Sequence, residues 1–276
     1  MIFKAHQTIQ SLAPFVKSIF HYKDFYPDHS IERVIPTGHL FIIFELDDLT
    51  RHTYDNKNLK PNGTYRKAWV SGMHKNHISI SAHQNSEMFV IQLEPYGGFP
   101  FIHRPIEQLN ERVIPAEEIF GPDILAFRNN ILSLEKSEDK FQACDHWLSD
   151  HFDPHKVPPP DLVNFVTAQQ SNPVSQLPEI MAKYPRSQKH LIHLFKKYIG
   201  LTPKWYQRIL RFNDLLKQIQ NKENIAWADI AYRCGYTDQS HFIKEFKHFS
   251  GFNPREFIKK DFQQDEANFF PLDRKG

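Results

Sequence analysis

Cysteine is scarce in this sequence: Cys144 and Cys234 are the only two among 276 residues, and they lie 90 positions apart. Such a pair makes neither a disulfide framework nor a CxxC site, which indicates a reducing compartment. No apolar run approaches the ~20 residues that a membrane-spanning helix needs, and the first residues lack the apolar core of a signal peptide. We therefore expect a cytoplasmic protein without membrane contact, rather than a secreted or disulfide-stapled one.

The sequence also lacks the short motifs of common catalytic sites, including GxSxG, the Walker loop and GxGxxG. His74, His77 and His83 lie close together, but no HxH pair followed by a well-placed glutamate accompanies them. Cys144 lies on an apolar helical stripe and Cys234 beside a glycine, so we expect both to be packing residues. We predict a protein that is not an enzyme and has no metal or cofactor.

Charge is distributed unevenly along the chain, although the net charge is only +2. Residues 1–153 contain 15 Lys and Arg against 20 Asp and Glu, whereas residues 154–276 contain 19 against 12. Within residues 171–260 the basic excess rises to +9, from 16 basic and 7 acidic side chains. A basic half can be a solvated surface, but this asymmetry also fits a polyanion-binding module joined to a different one.

A proline-rich segment coincides with the change of charge. Residues 154–160 contain four prolines, which favour an extended spacer and interrupt helices and sheets. Before it, residues 39–46 form an apolar run typical of a buried strand, and residues 77–82 alternate with a period of two. Residues 88–94 indicate another strand. Two apolar stripes with helical spacing follow, so the sequence predicts an antiparallel β-barrel or sandwich with two helices over residues 1–153.

The basic half contains an internal repeat. Ser187–Tyr206 and Asp238–Phe257 align at an offset of 51 residues, with seven identical positions out of twenty. The identical pairs are Gln188/Gln239, His190/His241, Ile192/Ile243, Phe195/Phe246, Lys196/Lys247, Gly200/Gly251 and Pro203/Pro254. Two copies are too few for a solenoid but indicate a duplicated helical unit.

Each copy has the signals of a capped amphipathic helix. Ser187 or Asp238 is placed to accept a hydrogen bond at the N-terminus. Three apolar residues at spacings of four and three define the buried face, and Gly200 or Gly251 allows a left-handed end. The buried positions are Leu191, Phe195 and Tyr198 in the first copy and Phe242, Phe246 and Phe249 in the second. A shorter predicted helix precedes each, over residues 175–184 and 226–233.

A short helix, a tight turn and a second helix with outward polar side chains make a helix-turn-helix unit. Exposed amides, lysines and histidines suit the donors and acceptors of the DNA major groove, and isoleucine suits a thymine methyl. The alternative is an all-α interaction domain whose polar faces are merely solvated. Two matched copies in a strongly basic segment favour DNA binding.

The second copy resembles the signature of the AraC/XylS family of transcription regulators. Asp229-Ile230-Ala231, Gly235-Tyr236, Ser240-His241-Phe242 and Phe246-Lys247 match its motifs, as do Gly251 and Pro254. The resemblance covers roughly residues 161–260 and implies two helix-turn-helix units joined by a long helix. It predicts a linking helix from Pro203 to about Gln220, ~27 Å long at 1.5 Å per residue.

The resemblance implies DNA contacts through the outward residues of both recognition helices. These predicted DNA-binding residues are Gln188, Lys189, Ile192, His193 and Lys196 in the first helix, and Gln239, Ser240, Ile243, Lys244 and Lys247 in the second. His193 and Lys244 stand where the family often has arginine, and Pro185 lies in the first turn. Bidentate guanine reading by arginine is therefore absent at these two positions, which favours A·T-rich or shape-dependent readout.

The acidic half resembles, through residues 34–46 and 93–98, the N-terminal domain of one subgroup of the family. This implies effector sensing, dimerisation or both. The sequence thus predicts a two-domain α+β chain: a β-rich domain over 1–153, a linker over 154–160, a double helix-turn-helix domain over 161–260 and a tail over 261–276. The expected partners are operator DNA, a small-molecule effector, a second copy of the chain and RNA polymerase. The alternative is a barrel enzyme or DNA-repair protein that uses the helical half for targeting.

Overall fold

The computed structural model of the protein describes residues 1–220, 225–259 and 268–274. Its strands are β1 (Ile2–His6), β2 (Val16–Phe25), β3 (Ile31–Val34), β4 (Phe41–Glu45), β5 (Arg51–Tyr54), β6 (Pro61–Tyr65), β7 (Ala68–Ser71), β8 (Ile78–Ser81), β9 (Ser86–Leu93), β10 (Val113–Pro115) and β11 (Phe269–Pro271). Its helices are α1 (Phe99–Ile102), α2 (Glu117–Phe120), α3 (Asp123–Ser133), α4 (Ser137–His151), α5 (Pro160–Ser171), α6 (Leu177–Ala182), α7 (Gln188–Tyr198), α8 (Pro203–Ile219), α9 (Trp227–Arg233), α10 (Gln239–Ser250) and α11 (Pro254–Lys259).

The N-terminal region (residues 1–153), together with β11 from the C-terminal segment, is built on two antiparallel sheets. In the described residues one sheet has the strand order β1-β2-β9-β4-β7-β10, and the other has the order β11-β3-β8-β5-β6. The sheets face each other across a small cavity lined by residues of both, among them Tyr65, Trp69, Ile80 and Met88. The predicted antiparallel fold is confirmed, in the form of a sandwich rather than a closed barrel.

The apolar run at residues 39–46 forms β4, which lies between β9 and β7. Its two faces are both covered. Ile43 pairs with Val90 and Trp69 on the side toward the second sheet. On the other side Phe44 lies 5.2 Å from Phe127 of α3, measured between ring centroids. A strand covered on both faces needs no alternation, which explains the continuous apolar sequence.

The alternating strand β8 buries its serines rather than its isoleucines. Ser79 and Ser81 are buried, while Ile78 and Ile80 are half-buried. The hydroxyl of Ser79 donates to the side chain of Asn56, and the hydroxyl of Ser81 accepts from the backbone N–H of His52. Buried hydroxyls are tolerated here because each has a hydrogen-bond partner.

The proline-rich segment is short, and hydrogen bonds tie it to the regions on either side of it. Residues 154–156 form a 3-10 turn, and Pro160 is already the first residue of α5, a position that suits proline because its missing N–H is not needed there. The backbone N–H of Asp153 donates to the carbonyl of Pro100, and the hydroxyl of Tyr198 donates to the carbonyl of Val157. The segment therefore connects two parts of the molecule that touch each other.

The helical region (residues 160–259) packs directly on the N-terminal region. Buried apolar side chains of both regions form one continuous cluster. Tyr206 of α8 is fully buried, and its ring comes so close to Gly38 that an added Cβ there would lie 3.0 Å from it. Asn213 of α8 donates from its side chain to the carbonyl of Pro36 at 2.8 Å.

The C-terminal segment returns to the N-terminal region, which the sequence did not predict. Strand β11 pairs antiparallel with β3, and Phe270 is buried. Asp273 accepts hydrogen bonds from the backbone N–H groups of Ser30 and Ile31. Residue 260 and most of the predicted tail, 261–267 and 275–276, lie outside the described residues. Among the helices that the structure describes, none is long and apolar enough to cross a membrane.

Candidate nucleic-acid interface

Two helix-turn-helix units occur where the repeat predicted them. In the first unit α6 leads through residues 183–187 into α7, and in the second α9 leads through residues 234–238 into α10. The lead helices are slightly shorter than predicted. Helix α8 joins the two units and has 17 residues, which corresponds to ~26 Å.

The predicted caps define where both recognition helices, α7 and α10, begin. The hydroxyl of Ser187 accepts from the backbone N–H of His190 at 3.2 Å. The carboxylate of Asp238 accepts from the backbone N–H of His241 at 2.8 Å, and this hydrogen bond lowers the pKa of Asp238. Each contact satisfies a backbone donor that a helix leaves unpaired in its first turn.

Both recognition helices end at a glycine with a positive φ angle, +88° at Gly200 and +74° at Gly251. Their predicted buried faces are buried. These residues are Leu191, Phe195 and Tyr198 in α7, and Phe242, Phe246 and Phe249 in α10. The opposite faces consequently point to solvent.

All ten predicted DNA-binding residues are exposed. They are Gln188, Lys189, Ile192, His193 and Lys196 of α7, and Gln239, Ser240, Ile243, Lys244 and Lys247 of α10. The equivalent isoleucines Ile192 and Ile243 are 36% and 38% exposed, so both units present an apolar side chain to the same extent. Lys196 differs from the other predicted residues in one contact: its ammonium lies 3.7 Å from the carboxylate of Glu107.

The orientation of α10 on the linking helix is set by an ion pair. Arg208 of α8 donates from Nε and Nη2 to the two carboxylate oxygens of Glu245, at 3.1 and 2.6 Å. The guanidinium also lies 3.7 Å from the ring centroid of Trp205. Two parallel hydrogen bonds and a stacked ring restrain both position and rotation.

One exposed aromatic residue of the second unit was not predicted from the sequence. Tyr232 of α9 is 82% exposed, while Ile230 and Ala231 of the same helix are buried. The helical spacing of the apolar residues in α9 was the available signal, because it leaves Tyr232 outside the buried stripe. In a docked helix-turn-helix unit the lead helix crosses the DNA backbone.

Burial affects two of the clustered histidines, and both cysteines are buried. Burial lowers the pKa of His74 to about 4, and burial with the nearby Arg33 guanidinium lowers that of His77 to about 4. Cys144 is fully buried, which raises its thiol pKa well above the usual value. Of the residues that the structure describes, no three or more His, Cys, Asp or Glu are grouped so that they could hold a metal ion.

Two protein families match the chain. A helix-turn-helix domain family matches residues 181–260, which include both recognition helices. A domain of unknown function (DUF6597) matches residues 4–115. The two matches fall on opposite sides of the proline-rich segment.

Curated relatives include the HTH-type transcriptional activator RhaS of Escherichia coli strains SE11 and HS. Each is 28% identical over 156 residues, which is 54% of this chain and 49% of the relative. The match therefore spans about half the length of these relatives.

Among solved structures, ToxT from Vibrio cholerae is 11% identical with a TM-score of 0.45, covering 94% of this chain and 98% of that chain. Unsaturated fatty acid-bound wild-type ToxT from strain SCE256 is 12% identical with a TM-score of 0.44, covering 93% and 94%.

Proposed function

We propose that the chain is a sequence-specific DNA-binding regulator of transcription of the AraC/XylS type, an interpretation that the matched helix-turn-helix domain and the similarity to RhaS support. In this proposal residues 161–260 bind the operator, residues 1–153 control that binding, and residues 154–160 connect the two. The observation that carries the proposal is the pair of recognition helices with equivalent caps, equivalent buried faces and equivalent exposed residues.

The exposed residues divide into two roles. Gln188 and Gln239, in the first turn of their helices, have side-chain amides suited to the edge of an adenine, and Ile192 and Ile243 suit a thymine methyl. The lysines neutralise phosphates and release counterions, which contributes affinity without sequence preference. The first group would specify the operator and the second would position the protein on it.

The length of the linking helix supports binding to two successive segments of the major groove. Helix α8 spans ~26 Å by its rise per residue, and one turn of DNA spans ~34 Å. The two units would then contact the same face of the duplex, about one helical turn apart.

We propose that the N-terminal region supplies ligand control, self-association or both. Sheets that enclose an apolar interior and amphipathic helices α3 and α4 are suited to these roles. The partners in this proposal are a small-molecule effector, a second copy of the chain and RNA polymerase, in the cytoplasm. Because the relative RhaS is a transcriptional activator, activation rather than repression is the proposed effect on transcription.

A repair enzyme, the alternative that the sequence left open, would need a nucleophilic cysteine in an electropositive and accessible site. Cys144 is fully buried, and Asp145 next to it adds to the rise of its thiol pKa. Both influences disfavour the reactive thiolate. The observations support a protein whose chemistry is binding.

The experiment that tests the proposal is selection of genomic fragments by the full chain, followed by binding measurements on the enriched DNA. We expect a shared sequence motif and an affinity that falls steeply with salt, by about 10³ or more between 50 and 200 mM if six or more phosphates are contacted. Enrichment without a motif would contradict sequence-specific binding, and no enrichment would contradict DNA binding altogether.

A further inference from the structure

The first recognition helix ends against the N-terminal region. The side-chain amide of Asn110 donates to the carbonyl of Gly200, two residues after the end of α7. The ring of Phe99 lies 5.2 Å from that of Tyr198, and the ammonium of Lys197 lies 4.6 Å from the centroid of Phe99. The last turn of α7 is therefore held by a ring–ring contact and a cation–ring contact with Phe99, and the glycine that follows the helix is held by a hydrogen bond from Asn110.

The second recognition helix ends against the same region through different side chains. Arg33 donates from Nη1 to the carbonyl of Ser250 at 3.2 Å. His77 donates from Nδ1 to the carbonyl of His248 at 3.2 Å, and His248 donates from Nε2 to the carbonyl of Lys75 at 2.9 Å. The carbonyls of a last helical turn have no partner within the helix, so donors from outside are favourable there.

The two side chains approach equivalent glycines of the repeat, although the accepting carbonyls, those of Gly200 and Ser250, differ by one position. Gly200 and Gly251 are 51 residues apart, the offset of the two copies. A Cβ on Gly200 would lie 2.3 Å from Oδ1 of Asn110, and a Cβ on Gly251 would lie 2.3 Å from Nη1 of Arg33. The N-terminal region thus places one polar side chain against the terminal glycine of each recognition helix.

The opposite ends of the same helices stay accessible. Gln188 and Lys189 at the start of α7, and Gln239 and Ser240 at the start of α10, are exposed. The N-terminal region consequently holds both helices by the end that is remote from the first-turn reading residues. It can restrain the helices without covering those residues.

We propose that Asn110 and Arg33 are positioning residues that fix the separation of the two recognition helices and thereby the spacing between the two operator segments. This inference rests on the proposed function. The linking helix α8 joins the units at one side, and the N-terminal region braces them at the other. One base pair changes the separation of two DNA segments by about 3.4 Å and rotates them by about a tenth of a turn, so a braced pair of helices tolerates few spacings.

The test uses the full chain and its selected operator. One or two base pairs are inserted or deleted between the two operator segments that the recognition helices contact. For the wild-type protein we expect each change to lower affinity by at least about tenfold, comparable to the loss of a well-matched contact. For a variant carrying Asn110→Asp and Arg33→Ala we expect the same changes to cost less than about threefold. Asn110→Asp keeps the side-chain shape but presents an acceptor to the carbonyl of Gly200.

Matched controls separate positioning from general loss of structure. Asn213→Ala removes an amide that bonds the N-terminal region to α8 rather than to a recognition helix. Arg128→Ala removes a buried arginine that bonds the carbonyl of Glu45 within the N-terminal region. Both controls should keep the wild-type dependence on spacing. If the double variant does not fold, Asn110→Asp alone is measured, because it alters a single half-buried side chain.

A variant whose affinity rises or falls equally at every spacing would overturn the inference, because an equal change indicates an inhibitory or merely structural contact. Controls that relax the spacing as much as the variant would overturn it as well. Failure of the wild-type chain to bind any selected DNA would instead overturn the proposed function, so the two failures are distinguishable.

Discussion

Leu194 of the first recognition helix and Glu245 of the second occupy equivalent positions 51 residues apart, and each is 8% exposed. The first unit fills this position with an apolar side chain. The second fills it with a carboxylate, which depends on Arg208 of the linking helix for two hydrogen bonds. The same helix-turn-helix arrangement is therefore stabilised by apolar packing in one unit and by a charge pair in the other.

The lead helices differ in a related way. Helix α6 contains no buried residue, whereas α9 buries Ile230 and Ala231. The second unit thus combines a well-packed lead helix with a polar attachment to α8. Removing one partner of a charge pair costs most when the charge that remains is the more buried of the two, because it is then left without a partner and with little access to water. The difference between the units predicts unequal responses to substitution.

The largest effect is expected at the ion pair. Arg208→Ala leaves the carboxylate of Glu245 buried without its partner and should lower the free energy of unfolding by about 3 kcal/mol. Glu245→Leu, which copies the first unit, leaves a partly exposed guanidinium that can be hydrated and should cost less than about 1 kcal/mol. Urea unfolding of both variants measures the difference. Equal costs would mean that the charge pair is not what distinguishes the second unit.

A smaller effect on stability is expected when the pH is lowered. Burial and Arg33 lower the pKa of His77 to about 4, against 6.5 normally, so the unfolded chain binds the proton more tightly than the folded one. Stability should fall as pH falls from 6.5 toward 4, by about 2 kcal/mol between pH 7 and pH 5 for this group. His77→Asn keeps a donor for the carbonyl of His248 but cannot titrate.

The measurement is the pH dependence of urea unfolding for wild type and His77→Asn. Between pH 7 and pH 5, the free energy of unfolding of His77→Asn should fall by about 2 kcal/mol less than that of the wild type. The matched variant on the first unit, Asn110→Ala, removes a group that does not titrate and should leave the slope unchanged. Parallel pH curves for wild type and His77→Asn would show that the contact of the second unit is not acid-sensitive.

Sequence discrimination should also differ between the units. Gln239→Ala should relax base preference at one or two positions of the segment read by α10, by roughly tenfold, or ~1.4 kcal/mol. The second helix should carry more of the discrimination, because it presents Ser240 and Lys244 beside its glutamine while Ile192 of the first helix supplies only apolar contact. Gln188→Ala should therefore change the first segment less. Selection of binding sites from random DNA by each variant measures the base preference at every position. A wild-type motif for Gln239→Ala, with half of the motif lost for His193→Ala, would reverse the assignment.

The smallest effect separates the equivalent lysines Lys196 and Lys247. The carboxylate of Glu107 lies 3.7 Å from Lys196, and both side chains are about half exposed, so the pair is weak. Lys247→Ala should lower affinity evenly across sequences and reduce the salt slope by about one. Lys196→Ala should do less, and Glu107→Gln should raise affinity by up to about twofold. Tighter binding by Lys196→Ala would contradict a phosphate contact at that position.

The parts of the fold that repeat or alternate could be predicted from the sequence. The caps, the terminal glycines and the buried faces of α7 and α10 follow from residue types at fixed spacings, and a continuous apolar run identified β4. Strand β11 could not be predicted, because three residues are too few to show a period and its partner β3 lies far away in the chain. The pairing of Arg208 with Glu245 was hidden for the same reason.

The candidate site shows the same division. Exposure of the ten predicted residues follows from helical spacing, so the sequence was sufficient to predict that these side chains face solvent. The donors from Arg33, His77 and Asn110 to the ends of the recognition helices were not visible, because each is a single side chain that meets a backbone carbonyl. No sequence pattern marks an accepting carbonyl. Contacts of this kind depend on how the two regions pack.

The most direct test of the account is a footprint of the full chain on its selected operator, by hydroxyl-radical cleavage and by interference with major-groove methylation. We expect two protected major-groove segments on one face of the duplex, about one helical turn or ~10 base pairs apart. The double variant Gln188→Ala with Lys189→Ala should lose one segment, and the double variant Gln239→Ala with Lys244→Ala should lose the other. A single protected segment, or two segments lost together in either variant, would contradict reading by two separate recognition helices.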